Sequence, residues 1–417
     1  MKILVTITLL LLGLLSAAQE KSIKIHPQDS DIFTKEKIVE DLIAFGLEVQ
    51  EVRSNFGPQS HAMGFFIDEQ KNMGLYQGMI LSTGIVTNIQ GQNTGSGYTS
   101  FELSQNESQQ IVKEELVDQS LDTLSIVSEE KVLKVEQGKV GEKLIKQIIK
   151  SSIKKADIDL TQEVGGFPTF DARVLEIDFI PTADTLYYRY VFASEEYDEF
   201  VCSRFNDVFA FYLYREGEEK ENIALIPNSK MPVAINSVNR GNPYSKSCQA
   251  MNPHLFQTND GNQGLIFDGF TKTLDIRAKV VPGQKYTIKM AIADASDMIL
   301  DSAVLVENES IFTYYNSFEL SFELDSHVCY DLDKMKSLLQ CLNENPKRKV
   351  QLIGHTDFLG KEDYNLNLSK MRVTHLKDFL EENGIKKDRI REVYKGESMP
   401  RYSNNKKNRR VEAFILG

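Results

Sequence analysis

The stretch Gly354–Arg372, GHTDFLGKEDYNLNLSKMR, decides how the last quarter of the chain folds. Just before it, Lys349–Ile353 (KVQLI) alternates as a strand does, with Val350 and Leu352 on one side. Within and after it, Leu368, Met371, Arg372, Leu376, Phe379 and Leu380 recur at steps of three and four, one stripe of an amphipathic helix. Asn383-Gly384 ends that helix. The pattern sets an acid, Asp357, just past a strand and a cation, Arg372, on or beside the buried stripe of the next helix. A buried charge without a counter-ion is costly, so Arg372 needs an anion from the protein or from a ligand. On the residues alone, a structural ion pair with Asp357 and a ligand site are equally good readings.

The same residues closely resemble the OmpA-like C-terminal domain, the peptidoglycan-anchoring module of Gram-negative envelopes. Its pattern is met by Gly354–Asp357 (GHTD), Gly360, Tyr364-Asn365, Leu368-Ser369 and Arg372, then by Gly384-Ile385, Arg389-Ile390, Gly396-Glu397, Pro400 and Asn408–Glu412 (NRRVE). Val373 departs from the usual Ala, a packing change. The resemblance covers about the last hundred residues and implies an α+β fold, a mixed sheet with two main helices. It also implies a ligand, the diaminopimelate end of a peptidoglycan stem peptide. Asp357 of the Thr356-Asp357 pair would accept from the ammonium, and Arg372 would fork onto the carboxylate, which suits a planar bidentate donor. Asn365 would add an amide contact, and Arg409 or its neighbour Arg410 would line the groove. His355 reads as a packing residue.

The chain opens MKILVTITLLLLGLLSAAQEK. A lysine, an apolar run from Ile3 to Leu15 and the small residues Ser16-Ala17-Ala18 describe a secretory signal peptide over 1–18. The run is shorter than the ~18–20 residues of a spanning helix, and no later stretch is long and apolar enough, so no transmembrane helix is expected in the mature chain. A net charge of −12 argues against nucleic acid as a partner. Export allows disulfides, and Cys202 and Cys248, both in the larger domain, are the candidate pair. Cys329 and Cys341 bracket a helix over Leu332–Leu342, which would part them by up to ~18 Å. A disulfide needs its Cα atoms ~4.4–6.8 Å apart.

Upstream, Lys35 to Val49 has helical spacing. Residues 102–155 are charged and poor in Gly and Pro, with Leu144-Ile145 and Ile148-Ile149 at helical spacing, and read as a helical insert. From Arg173 the chain is β. Val174–Pro181, Thr185–Ser194, Asp207–Tyr214, Asn222–Pro227, Lys285–Asp294 and Ser302–Glu307 are strand-like, as in an antiparallel sandwich. A strand at Phe318–Leu324 opens the C-terminal unit, after a short boundary at Asn308–Asn316. The motifs VFASEEYDEFVCSRFNDVFAFYL, NIALIP, FDGF and IADASDMILDSAVLVE resemble the choice-of-anchor L domain of secreted bacterial proteins, over roughly Lys35 to Asn308. The expected architecture is therefore multidomain. A signal peptide (1–18) precedes an antiparallel β-sandwich-like domain with a helical insert (19–308), and an α+β OmpA-like domain (316–417) follows.

Two acidic groups, Glu195, Glu196, Asp198 and Glu199 with Asp207, and Asp294, Asp297 and Asp301, lie at strand ends and could converge. Hard oxygen donors on loops suit Ca²⁺, with Glu196, Asp207, Asp294 and Asp301 as candidates, although there is no EF-hand loop. The alternative is that they cap turns and pair with Arg189 or Arg204. No G-x-S-x-G, H-E-x-x-H or P-loop is present, so catalysis is not expected. The reading is a non-enzymatic envelope protein on peptidoglycan. Rivals are a surface adhesin or glycan binder working through the sandwich, other envelope proteins being further partners, and a cell-wall hydrolase.

Overall fold

A computed structural model describes residues 23–28, 34–57, 61–69, 72–91, 99–102, 123–128, 131–136, 156–259, 264–296, 300–397 and 405–417. The signal-peptide reading (1–18), Asp297, Pro400 and the Leu144–Ile149 spacing lie outside these residues. Among them, no helix is long and apolar enough to cross a membrane.

Two sheets face each other in the larger unit. One has five strands in the order Glu221–Asn222, Val208–Tyr214, Tyr286–Ala295, Thr169–Pro181, Leu47–Ser54, all antiparallel. Its inward residues Leu175, Ile177, Phe179, Phe209, Phe211 and Met290 share a core with Leu186, Tyr188, Tyr190 and Phe192 of the strand Thr185–Ser194 in the second sheet. The period-2 alternation of these aromatic and branched side chains directs each row inward. The intervening residues Val191 and Ala193 turn the other way, into a second core with Ile25, Phe66, Ile80 and Phe267. Burial on both faces explains why TLYYRYVFAS shows no polar row.

The second sheet does not stop at the boundary expected at 308–316. The strand Ile311–Ser321 runs straight through it. Its first half pairs with Thr185–Tyr187, and from Tyr314 onward it pairs with Arg410–Leu416. Arg410–Leu416 then pairs antiparallel with Lys349–His355, which pairs parallel with Ile390–Gly396. The parallel step requires a crossover, and the helix Glu362–Glu382 supplies it. With the helix Leu332–Glu344 it covers one face of this mixed sheet, through Leu338, Leu342, Val373, Leu376 and Leu380 against Val350, Leu352, Val411, Ala413 and Ile415. The opposite face, with Gln351, His355, Arg410, Glu412 and Phe414, is also buried. Phe414 meets Tyr187 and Phe312 at ring-centroid distances of 5.3 and 5.1 Å. Glu307 takes Lys395 at 2.6 Å and Arg189 at 3.2 Å across the same contact.

Several expectations need correction. The helix at Lys35 ends at Leu42; Ile43–Phe45 and Leu47–Ser54 are strands, parted by Gly46 at φ +77°. Tertiary pairing overrides the helical spacing there. The described parts of the 102–155 segment, Thr123–Ser128 and Lys131–Glu136, form a hairpin rather than helix, as the alternation TLSIVS and KVLKVE permits. Asn222–Pro227 is strand only at Asn222; Leu225 makes a lone bridge to Pro232. Phe318–Leu324 is the end of a longer strand that stops at Ser321. Met371 is not on the buried stripe but 39% exposed. Cys202 and Cys248 are joined, with Cα atoms 5.8 Å apart; Cys329 and Cys341 are free.

Candidate functional site

Asp357 follows the strand Lys349–His355, and Arg372 projects from the middle of Glu362–Glu382, which lies against that strand. The approach is close because residue 354 is glycine. A Cβ there would come within 2.4 Å of the Ser369 carbonyl oxygen and 2.7 Å of Val373 Cγ2. Ser369 Oγ donates to the Leu366 carbonyl (2.7 Å) and accepts from Gly396 N–H (3.1 Å), while Thr356 N–H donates to the Gly396 carbonyl (2.7 Å). Helix and two strands are thereby stitched together directly beneath Asp357.

Arg372 is fully buried. Its Nη1 donates to the His355 carbonyl at 2.7 Å, its Nε to the Ser326 carbonyl at 2.8 Å and its Nη2 to the Glu323 carbonyl at 3.3 Å. The Phe322 ring lies below it, 5.2 Å from guanidinium carbon to centroid. Desolvation pulls its pKa down to about 10, against the pull of Asp357. Three of its five N–H groups are thus spent on main-chain carbonyls. The structural Asp357–Arg372 ion pair, one of the two readings of the sequence, does not form; Arg409 Nη1 meets Asp357 Oδ2 instead, at 3.4 Å. Arg409, rather than Arg410, borders the site, because neighbouring strand residues point to opposite faces. Arg410 pairs with Glu412 at 2.9 Å on the buried far face.

Asn365 is buried beside them and donates through Nδ2 to Glu397, while its Oδ1 has no hydrogen-bond partner. Thr356 Oγ1 is likewise buried without a partner. Tyr364 O–H donates to Asp325, steadying the loop whose carbonyls hold Arg372. Around this polar centre stand exposed apolar side chains, Phe358, Leu359, Leu324 and Val328. Main-chain acceptors carry no side-chain signal, so sequence reasoning missed the 322–326 loop; Glu397 was visible only as part of Gly396-Glu397.

Glu196, Asp207, Asp294 and Asp301 are all buried at one end of the facing sheets. Arg189 pairs with Asp275 and Glu307; Asp198 pairs with Arg240 at 2.6 Å, and Arg204 lies over the Phe205 ring. Among the described residues, no three His, Cys, Asp or Glu side chains are gathered to metal-ligand spacing.

A mixed sheet with helices on one face and an acid and an arginine at its strand–helix crossing makes a small α+β unit that continues from the β-rich one. Residues 124–312 match the Choice-of-anchor L domain, and residues 321–413 match the OmpA family. The first match takes in the second half of the 102–155 segment and leaves the residues upstream of 124 outside. Outer membrane porin F of Pseudomonas fluorescens is 35% identical over 108 residues, 22% of this chain and 32% of the porin. The peptidoglycan-associated lipoprotein of Buchnera aphidicola is 34% identical over 74 residues, 18% of this chain and 43% of the lipoprotein. The chain therefore spans less than half the length of either relative. A crystal structure of the peptidoglycan-associated lipoprotein from Burkholderia pseudomallei aligns at 24% identity, covering 24% of this chain and 89% of that one, with a TM-score of 0.23.

Proposed function

We propose that this is an exported envelope protein held non-covalently on peptidoglycan by residues 316–417, whose Asp357–Arg372 site takes the diaminopimelate end of a stem peptide. The observation that carries the proposal is the placing of a buried acid and a buried arginine at one strand–helix crossing, in a stretch that follows the OmpA-family pattern. A zwitterion needs one anion and one cation close together, and Asp357 with Arg372 and Arg409 supplies both signs. Two N–H groups of Arg372 remain after its three main-chain bonds. Because the guanidinium is covered, the side chains over it must shift for a ligand carboxylate to reach it, a change of the rotamer scale common on binding. The names of the porin and lipoprotein relatives agree with an outer-membrane and cell-wall setting. The two facing sheets of 19–308 form a β-sandwich with a binding or structural role, and the activity is binding rather than catalysis.

The test is co-sedimentation of the mature chain with purified sacculi. Binding that soluble stem peptide containing diaminopimelate competes away supports the proposal. Absence of the chain from the pellet at micromolar concentration removes it.

A further inference from the structure

Six acids, Asp171, Glu195, Glu196, Asp207, Asp294 and Asp301, are buried at one end of the facing sheets, each under 5% exposed. The register explains how they meet. Val208 pairs with Ala293, which sets Asp207 beside Asp294 on the adjoining strand. A register shift between Ile292 and Asp294 brings Asp171, at φ +46°, alongside from the third strand. From the opposite sheet, Glu195 N–H donates to the Asp301 carbonyl (3.1 Å), and Asp301 N–H donates to Glu195 Oε2 (3.0 Å). Asp207 is fixed by Ala295 N–H at 3.0 Å and Ser302 O–H at 2.6 Å. Arg173, whose Nη2 donates to the Thr83 carbonyl at 3.3 Å, is the buried cation beside them.

Asp294 is the distinguishing member. It is 3% exposed, and its Oδ1 has no hydrogen-bond partner. It feels Asp207, Asp301 and Asp171 directly. A buried carboxylate oxygen left without a donor is costly, and more so when charged, unless something else meets it.

We propose that this end of the β-rich unit binds Ca²⁺, with Asp294 Oδ1 as a ligand and Asp207 and Asp301 as its neighbours in the site. Ca²⁺ takes six to eight oxygens in flexible geometry, main-chain carbonyls and water included. It therefore does not require three side chains already gathered, and like-charge repulsion works against such gathering. Exclusively oxygen donors, with no histidine or thiol, suit a hard cation rather than zinc or copper. Burial and the neighbouring acids hold the Asp294 pKa well above the usual carboxylate range, so proton and Ca²⁺ would compete for it.

The experiment uses the full mature chain and calcium chloride. Equilibrium dialysis after chelation is expected to return about one tightly held Ca²⁺ per chain. Saturating Ca²⁺, about a hundred times the dissociation constant, is expected to raise the melting temperature by roughly 5 °C or more over the chelated protein. Asp294→Asn, which keeps the shape and removes the charge, should lose both the bound ion and the rise, and should melt higher than wild type in chelator. A wild-type chain that holds no Ca²⁺ on dialysis overturns the proposal whatever the variant does. So does a variant that binds and responds as the wild type does, which would place the ion elsewhere on this acidic protein.

Discussion

Arg372 Nη1 donates a 2.7 Å hydrogen bond to the main-chain carbonyl of His355, two residues before Asp357. The bond joins the candidate ligand site to the far face of the same sheet, because the His355 ring points the other way, into the contact with the β-rich unit. That ring is buried, and neither nitrogen has a hydrogen-bond partner.

Burial and the nearby Arg410 hold the His355 pKa well below its ordinary value, with Arg189 and Lys395 adding to the effect and Glu412 opposing it. Below about pH 6.5 the unfolded chain takes up a proton that the folded chain refuses. Stability is therefore lost as pH falls from about 7 toward the depressed folded value. Between pH 7.5 and 5.5 this one group contributes a loss on the order of 1 kcal/mol. Urea unfolding at the two pH values should show His355→Leu losing less than wild type by about that amount. Equal losses in the two proteins would refute the assignment.

Gly354→Ala should force the helix Glu362–Glu382 away from its strand, since the new methyl group would strike the Ser369 carbonyl. Overpacking of this kind costs roughly 1–3 kcal/mol. Chemical unfolding should reveal the loss, and sacculus binding should weaken with it because Asp357 and Arg372 sit on the two parted elements. An unchanged unfolding midpoint would show that the crossing is looser than described.

The two units share a strand, and Phe414 fills the contact between them at 1% exposure. Calorimetry of the wild type should therefore show one cooperative transition. Phe414→Ala should cost about 3–5 kcal/mol and split that transition in two. Two separate transitions in the wild type would contradict a common core.

Arg409→Gln removes the cation that meets Asp357. A carboxylate buried to this degree then loses a charged hydrogen bond worth roughly 1.5–3 kcal/mol, reduced here by the 3.4 Å separation. Thermal melting should fall by a few degrees. An unchanged melting temperature would mean that Asp357 finds its partner elsewhere.

The C-terminal unit was legible because its elements announce themselves locally. The alternation of KVQLI, the stripe from Leu368 to Leu380 and the Asn383-Gly384 stop all correspond to observed elements, Gly384 at φ +92°. The burial of Arg372 followed from its place on that stripe. Its main-chain partners did not, since a carbonyl is the same in every residue. The shared strand was hidden for a related reason. TYYNSFELS carries polar residues at its centre, where the strand passes from one neighbour to the next, and this reads as a boundary. Asn222–Pro227 misled in the opposite sense, its apolar residues packing from a loop onto the core. Within the 102–155 segment, Thr123–Ser128 and Lys131–Glu136 show how charge suggests helix where pairing makes a hairpin.

The central claim is that Asp357 and Arg372 together grip the zwitterionic end of a stem peptide, and paired single substitutions test it most directly. Asp357→Asn keeps the shape and removes the anion; Arg372→Lys keeps the charge and removes the fork. Hydrogen bonds to charged groups are worth roughly 1.5–3 kcal/mol, so each variant should bind purified sacculi about ten-fold more weakly or worse. The double variant should lose less than the sum of the two, because both groups hold one small ligand. Circular dichroism on the same samples establishes that the variants are folded. Folded Asp357→Asn and Arg372→Lys proteins that sediment with sacculi as well as the wild type would contradict the account.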